Sequence, residues 1–143
     1  MNIRSTYLTP LFRNYGAILE HLCETISKDL NSFDTIVFRG MSGAMIAPMV
    51  AYTLKKKFLL IRKNRITEER HHSFYNVEGT DEVNNYIIID DGIDHGLTMN
   101  KILATMKIER PAAFCHKIYL YNQYDVNNNF RKDDYKKIPI VYT

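Results

Sequence analysis

The sequence has little of what holds small exported domains together. Its 143 residues include only two cysteines, Cys23 and Cys115, with no metal-ligand spacing, which leaves no disulfide framework and no cysteine-based metal site. Both lie in apolar pattern and are expected to be buried thiols. Six glycines and four prolines are scattered along the chain. There is therefore no Pro/Gly/Ser-rich linker, low-complexity tract or repeat, and residues 1–143 read as a single domain. No apolar run approaches the roughly 20 residues a membrane helix needs, and the opening MNIRSTYLTP has no apolar signal core. A cytoplasmic protein with no membrane partner is the expectation. The charge excess is small, +3, and does not separate a nucleic-acid binder from a protein that handles small anions. What the chain does have is apolar material, 45% hydrophobic and 12% aromatic, enough for a substantial core.

Thr9 and Pro10 look like a cap and first turn, and Leu11, Tyr15, Ile18, Leu19, Leu22 and Ile26 recur at helical spacing, predicting a helix over about 10–28. DTIVF (34–38) reads as a strand followed by the turn RGMSG. A helix is predicted from Ala44 to about Lys55, with Pro48 tolerable only in its first turn or at a kink. KFLLIR (57–62), YIIID (86–90), FCHKIYLY (114–121) and IPIVY (138–142) are further strands, and Gly96 to about Lys107 is helical. Residues 63–76 form a long polar excursion, a length that is uncommon without a task. Alternating strands and helices predict an α/β domain with a mainly parallel twisted sheet flanked by helices. Ligands in such sheets gather at the carboxyl ends of the strands.

Two segments with unusual chemistry fall at such ends. In NYIIIDDGIDHGLT (85–98), a strand apolar on both faces runs into Asp90 and Asp91, whose charges repel. The turn that follows opens a helix, so unpaired N–H groups and the positive end of the dipole could cradle a phosphate. The two acids could accept hydrogen bonds from a vicinal diol or hold a hydrated magnesium ion. The bland alternative is a helix-capping pair. In FRGMSGA (38–44), Gly40 and Gly43 allow positive φ and close backbone approach, and Arg39 offers a charged fork suited to phosphate oxygens.

YIIIDDGIDHGLT resembles the phosphoribosyl-pyrophosphate motif of the type I phosphoribosyltransferases, and IVFRGMSGAMIAPMVAYTL is similar to that family's pyrophosphate-loop segment. IRK (61–63) and VEG (77–79) are also similar to family members, so the resemblance spans about residues 30–122. It implies magnesium-dependent transfer of ribose 5-phosphate from phosphoribosyl pyrophosphate to a nucleobase. By carry-over, Asp90 and Asp91 would hold the ribose hydroxyls and any magnesium. Asp94, His95, Gly96, Leu97 and Thr98 would wrap the 5-phosphate. Arg39, Gly40 and Lys63 would meet the pyrophosphate, and 63–76, with Arg65 and Arg70, would form a mobile lid. Asp94 at its step of the turn suggests a 6-oxopurine acceptor, with Asp94 as the proton acceptor or donor. The lysine with which such enzymes read the exocyclic oxygen is missing, however, and Asn122 or Gln123 stands there. Tyr121 and Tyr124 could stack the base. A small base-side region would come from the termini, and relatives are usually homodimers.

Two departures stand out. His95 and Leu97 replace a hydroxyl residue and, often, a glycine; positive φ at Leu97 would cost about 1–2 kcal/mol. The alternatives are a non-catalytic relative that senses a ligand or binds RNA or protein, an enzyme acting on orotate or another base, and a plain nucleotide-binding module with a similar sheet. His71 and His72 have no partner at ligand spacing and are not expected to bind metal.

Overall fold

Strands buried on both sides dictate the architecture. The computed structural model describes residues 8–63, 76–94, 96–122 and 134–143. Strands β1 (Thr35–Arg39) and β4 (Asn85–Asp90) are buried along almost their whole length, so each needs a layer of cover above and below. They pair with each other in parallel, in the register Val37↔Ile88. β2 (Lys57–Ile61) flanks β1, and β5 (Phe114–Leu120) flanks β4. Short edges, β3 (Val77–Gly79) and β6 (Ile140–Tyr142), complete the order β3-β2-β1-β4-β5-β6. Only β3 runs antiparallel. The chain leaves β1 toward one edge and returns to β4 on the other side. A switch point therefore opens between their carboxyl ends, where such sheets bind ligands.

Period-two alternation divides the core. Ile36, Phe38, Ile87, Ile89 and Tyr119 face α1 (Thr9–Arg13), α2 (Tyr15–Ser27) and α4 (Ala47–Leu54). Val37, Leu59, Ile61, Ile88 and Ile118 face α5 (Leu97–Glu109) and the short helical turn Asp134–Lys137. This is the expected helix-flanked, mainly parallel sheet. No helix among the described residues is long and apolar enough to cross a membrane.

The differences from the sequence expectations have local causes. The helix predicted over 10–28 is broken at Asn14 (φ −126°, ψ 29°), and the Tyr15 hydroxyl donates to the Met45 carbonyl at 2.7 Å. Thr9 is not a cap; Leu8 holds that position without a side-chain bond. The RGMSG turn is itself helical, α3 (Gly40–Ala44), and Pro48 sits in the first turn of a separate α4 because its ring and missing N–H cannot continue a helix from α3. β3 escaped notice because three residues carry no periodicity. Cys23 is half-buried rather than buried. Residues 64–75, with the lid, Arg65, Arg70, His71 and His72, and residues 123–133, with Gln123 and Tyr124, lie outside the described residues.

Candidate functional site

Beyond the carboxyl ends of β1 and β4 lies a cavity of about 370 Å³. One wall is the β1–α3 junction with Arg39, Gly40, Met41 and Ser42, joined by Lys63 from beyond β2. The opposite wall is the end of β4, Asp90 to Asp94, and the floor is the start of α5 with Gly96, Leu97 and Thr98. Residues nearly 60 positions apart thus converge as the resemblance implied. Of the expected site residues, Arg39, Gly40, Lys63, Asp90, Asp91, Asp94, Gly96, Leu97 and Thr98 all line this one space. His95 lies outside the described residues.

Backbone conformation explains the two glycine-bearing turns. Gly40 follows extended Arg39 with φ +77°, a region L side chains rarely enter. A methyl group there would also meet Lys63 Cε at 3.0 Å and Nζ at 3.2 Å, so the lysine lies close over this glycine. Gly43 answers a different need: a Cβ would approach that of Phe38 to 2.7 Å, so only glycine lets α3 settle on β1. On the other turn the left-handed residue is Gly96 (φ +78°), the N-cap of α5, which has no side-chain cap bond. Leu97 is the first helical residue with ordinary φ, so the strain considered for it does not arise. Its side chain is 62% exposed at the cavity rim. The N–H groups of the first turn have no intrahelical acceptor and carry the positive end of the helix dipole, with the half-buried Thr98 beside them at the cavity.

The two acids differ sharply in environment. Asp90 is 4% exposed, and its Oδ1 accepts from Ser42 Oγ at 2.7 Å and from the Asp91 N–H at 2.9 Å. Burial, then the neighbouring Asp91 charge, pushes its pKa up to about 7 despite the Ser42 bond. Asp91 is half-buried and Asp94 exposed. Across the cavity, Arg39 is half-buried and, among the described residues, has no ion pair within 4 Å. Desolvation lowers its pKa, while attraction to Asp90 opposes this. The cation across the cavity does not offset what burial costs Asp90. The site thus holds an uncompensated acid on one wall and an unpaired guanidinium on the other, the arrangement a ligand with hydroxyls at one end and phosphate at the other would relieve.

Tyr121 corrects an expectation. It is 7% exposed, packs with the β-sheet face beneath α4, and donates its hydroxyl to the Ser42 carbonyl at 2.6 Å; it offers no stacking surface. Tyr135 is likewise buried. Asn122 is half-buried and its N–H donates to the Asp91 carbonyl at 2.8 Å. Ser42 was not foreseen: its partner is 48 residues away, and nothing local distinguishes this serine from a turn residue.

Comparison with known proteins supports the same class. No family model matches the chain. Adenine phosphoribosyltransferases from Mycoplasma capricolum subsp. capricolum and Mycoplasma mycoides subsp. mycoides SC are each 28% identical to it, over 83% of this chain and 84% of theirs. Among solved structures, the Saccharomyces cerevisiae adenine phosphoribosyltransferase, complexed with an imino-altritol bisphosphate and adenine, superposes with TM-score 0.66 at 21% identity, covering 94% of this chain and 82% of that one. Orotate phosphoribosyltransferase from Aeropyrum pernix gives TM-score 0.58 at 17% identity, covering 76% and 58%. Fold and strand-end motif together define a type I phosphoribosyltransferase architecture. The chain is similar to these enzymes in sequence and shares their fold.

Proposed function

We propose that the protein transfers ribose 5-phosphate from phosphoribosyl pyrophosphate to adenine, with release of pyrophosphate. The observation that carries this is the convergence of an acid pair, the opening turn of a helix and two cations on one cavity at the sheet's switch point. Asp90 and Asp91 accept from the ribose hydroxyls, residues 94–98 hold the 5-phosphate, and Arg39, Gly40 and Lys63 take the pyrophosphate. A ring nitrogen of the base attacks the anomeric carbon as the bond to pyrophosphate oxygen breaks, and Asp94 is the candidate acceptor for the nitrogen's proton. Stabilising the departing charge is then the main catalytic demand on Arg39 and Lys63.

Adenine replaces the 6-oxopurine suggested by Asp94, because both curated relatives are adenine enzymes. The missing lysine at the end of β5 fits this choice. A cation there would read a carbonyl oxygen, whereas the exocyclic amine of adenine needs an acceptor.

Magnesium is proposed as cofactor. Among the described residues no group of three or more acidic, histidine or cysteine side chains could cage a metal. Two adjacent carboxylates do suit magnesium, which takes most of its ligands from phosphates and water. Asp90 and Asp91 would hold it, and when bound it would neutralise charge on the leaving pyrophosphate.

A homodimer is proposed through the flank of α3, α4 and β2, which exposes Met41, Met49, Tyr52 (82%) and Phe58. Light scattering of Tyr52→Glu against the parent checks this, a dimer becoming a monomer. A cytoplasmic setting accords with two free thiols. The decisive test of the activity is a panel of adenine, guanine, hypoxanthine and orotate with phosphoribosyl pyrophosphate and magnesium, scored for pyrophosphate release. Turnover on adenine above the others is expected. Donor binding without turnover on any base would favour a sensing protein instead.

A further inference from the structure

The phosphoribosyl donor has two ends, and in this fold they are held by different elements: the pyrophosphate end by the β1–α3 junction, the ribose end by the terminus of β4. Ser42 is the side chain that joins those two walls. It lies on α3, two residues beyond Gly40, and its hydroxyl donates to Asp90 Oδ1 at 2.7 Å. The same oxygen takes the Asp91 N–H at 2.9 Å. Both donors converge on Oδ1, which fixes the rotation of the carboxylate, while Oδ2 takes no backbone or hydroxyl donor among the described residues. Ser42 is itself held, since the Tyr121 hydroxyl donates to its carbonyl at 2.6 Å and the Tyr121 N–H donates to the Asp90 carbonyl at 3.1 Å. Asp90, Ser42 and Tyr121 thus close a ring of hydrogen bonds drawn from β4, α3 and the end of β5.

We infer that Ser42 is a positioning residue that orients Asp90 toward the ribose hydroxyls and keeps the ribose-binding wall in register with the pyrophosphate-binding loop. The inference rests on the phosphoribosyl-transfer reading above. The bond satisfies a buried carboxylate, and because that carboxylate also lines the cavity, what fixes its orientation fixes what a ligand meets there. Because Ser42 acts on Asp90 and not on Arg39 or Gly40, its loss should be felt at one end of the donor only.

The test uses the full chain and compares Ser42→Ala with Ser42→Thr. Steady-state kinetics give KM for the donor and kcat, and calorimetry gives separate affinities for ribose 5-phosphate and pyrophosphate. For Ser42→Ala the donor KM and the ribose 5-phosphate Kd are expected to rise about tenfold or more, the loss of a hydrogen bond to a charged group. The pyrophosphate Kd should stay within about twofold, an effect too small to carry a lost contact. Ser42→Thr, which keeps the hydroxyl, should recover most of the loss. An unchanged ribose 5-phosphate affinity, an equal weakening of pyrophosphate, or a threonine variant no better than alanine would overturn the inference. If Ser42→Ala does not fold, Tyr121→Phe frees the Ser42 carbonyl while sparing its hydroxyl. It should weaken ribose 5-phosphate in the same selective way but by less, and selectivity absent there would be equally decisive. A parent protein that binds neither the donor nor ribose 5-phosphate overturns the functional reading and the inference together. A parent that turns over normally beside an indifferent Ser42→Ala overturns the inference alone.

Discussion

Replacing Asp90 by asparagine should make the unliganded protein more stable and useless. Asp90 lies at the buried end of β4, 4% exposed, beside a second acid. Its pKa, ordinarily 3.8, is raised to about 7 by burial first and by Asp91 second. A raised carboxylate favours the fold only while it is protonated. Below about pH 4 it is neutral in both folded and unfolded chain and costs nothing. As pH climbs from 4 to 7 the unfolded chain ionises and the fold resists, so stability is lost progressively, and above about 7 the penalty is complete. The full penalty is on the order of 4 kcal/mol, of which some 2–3 kcal/mol develops between pH 5 and pH 8.

Asparagine keeps an acceptor where Oδ1 receives Ser42 and the Asp91 N–H, and turns an amide donor toward the Asp91 side. Asp90→Asn should therefore gain roughly 10 °C in Tm at pH 8, with a clearly smaller gain at pH 5. Thermal melts of both proteins across pH 4.5–8.5, without ligand, measure this directly. The same substitution replaces the oxygen that takes no backbone or hydroxyl donor among the described residues, so donor binding should vanish. A Tm at pH 8 equal to or below that of the parent, or a gain that does not vary with pH, would refute the account of Asp90 as a buried and uncompensated charge.

Three further outcomes are expected. Gly96→Ala forces a side chain onto φ +78° at the N-cap of α5; it should cost about 1–2 kcal/mol in denaturant melts and weaken the 5-phosphate grip. Arg39→Ala should raise the donor KM tenfold or more, roughly the worth of a charge-assisted bond, while leaving Tm unchanged or higher, because the guanidinium has no ion pair among the described residues. A large fall in its Tm would show that Arg39 is structural. Asp29 accepts from Lys117 and from the Tyr119 hydroxyl, bonds that hold its pKa below the usual value, the lysine first. Its stabilisation is present at neutral pH and lost as pH falls through that lowered pKa. Asp29→Asn should accordingly lose about 1–2 kcal/mol at pH 7 and approach the parent at strongly acidic pH in urea titrations.

What could be read from the sequence was whatever is decided within a few residues. Tyr86 to Ile89 announce a central strand because four consecutive apolar residues need cover on both faces, and Asp90–Asp91 announce a site because neighbouring charges repel wherever they fold. The turn at 94–98 is legible for the same reason, since a helix start and its glycine are local events. The break at Asn14 was less so: helical periodicity persists across it, and the Tyr15 bond to Met45 that accompanies it is a tertiary contact. Tyr121 misled because an aromatic at a strand end looks the same whether it faces a ligand or a serine carbonyl, and only the fold brings Ser42 to it. The base preference could not be read locally, because Asp94 and the missing lysine after β5 pointed in opposite directions.

The feature that made the site legible also bears on the proposed binding of the donor. In water a vicinal acid pair is cheap and weakly interacting; buried at the end of β4 it is expensive, and Arg39 across the cavity does not cancel the cost. On the proposed function, a donor whose hydroxyls meet the carboxylates and whose pyrophosphate meets Arg39 would relieve both walls at once, and part of its binding energy would be the removal of an unfavourable state already present in the empty protein. The affinity forfeited by Asp90→Asn and the stability it gains are then two measurements of one quantity, and they should move together if Asp91 is neutralised as well.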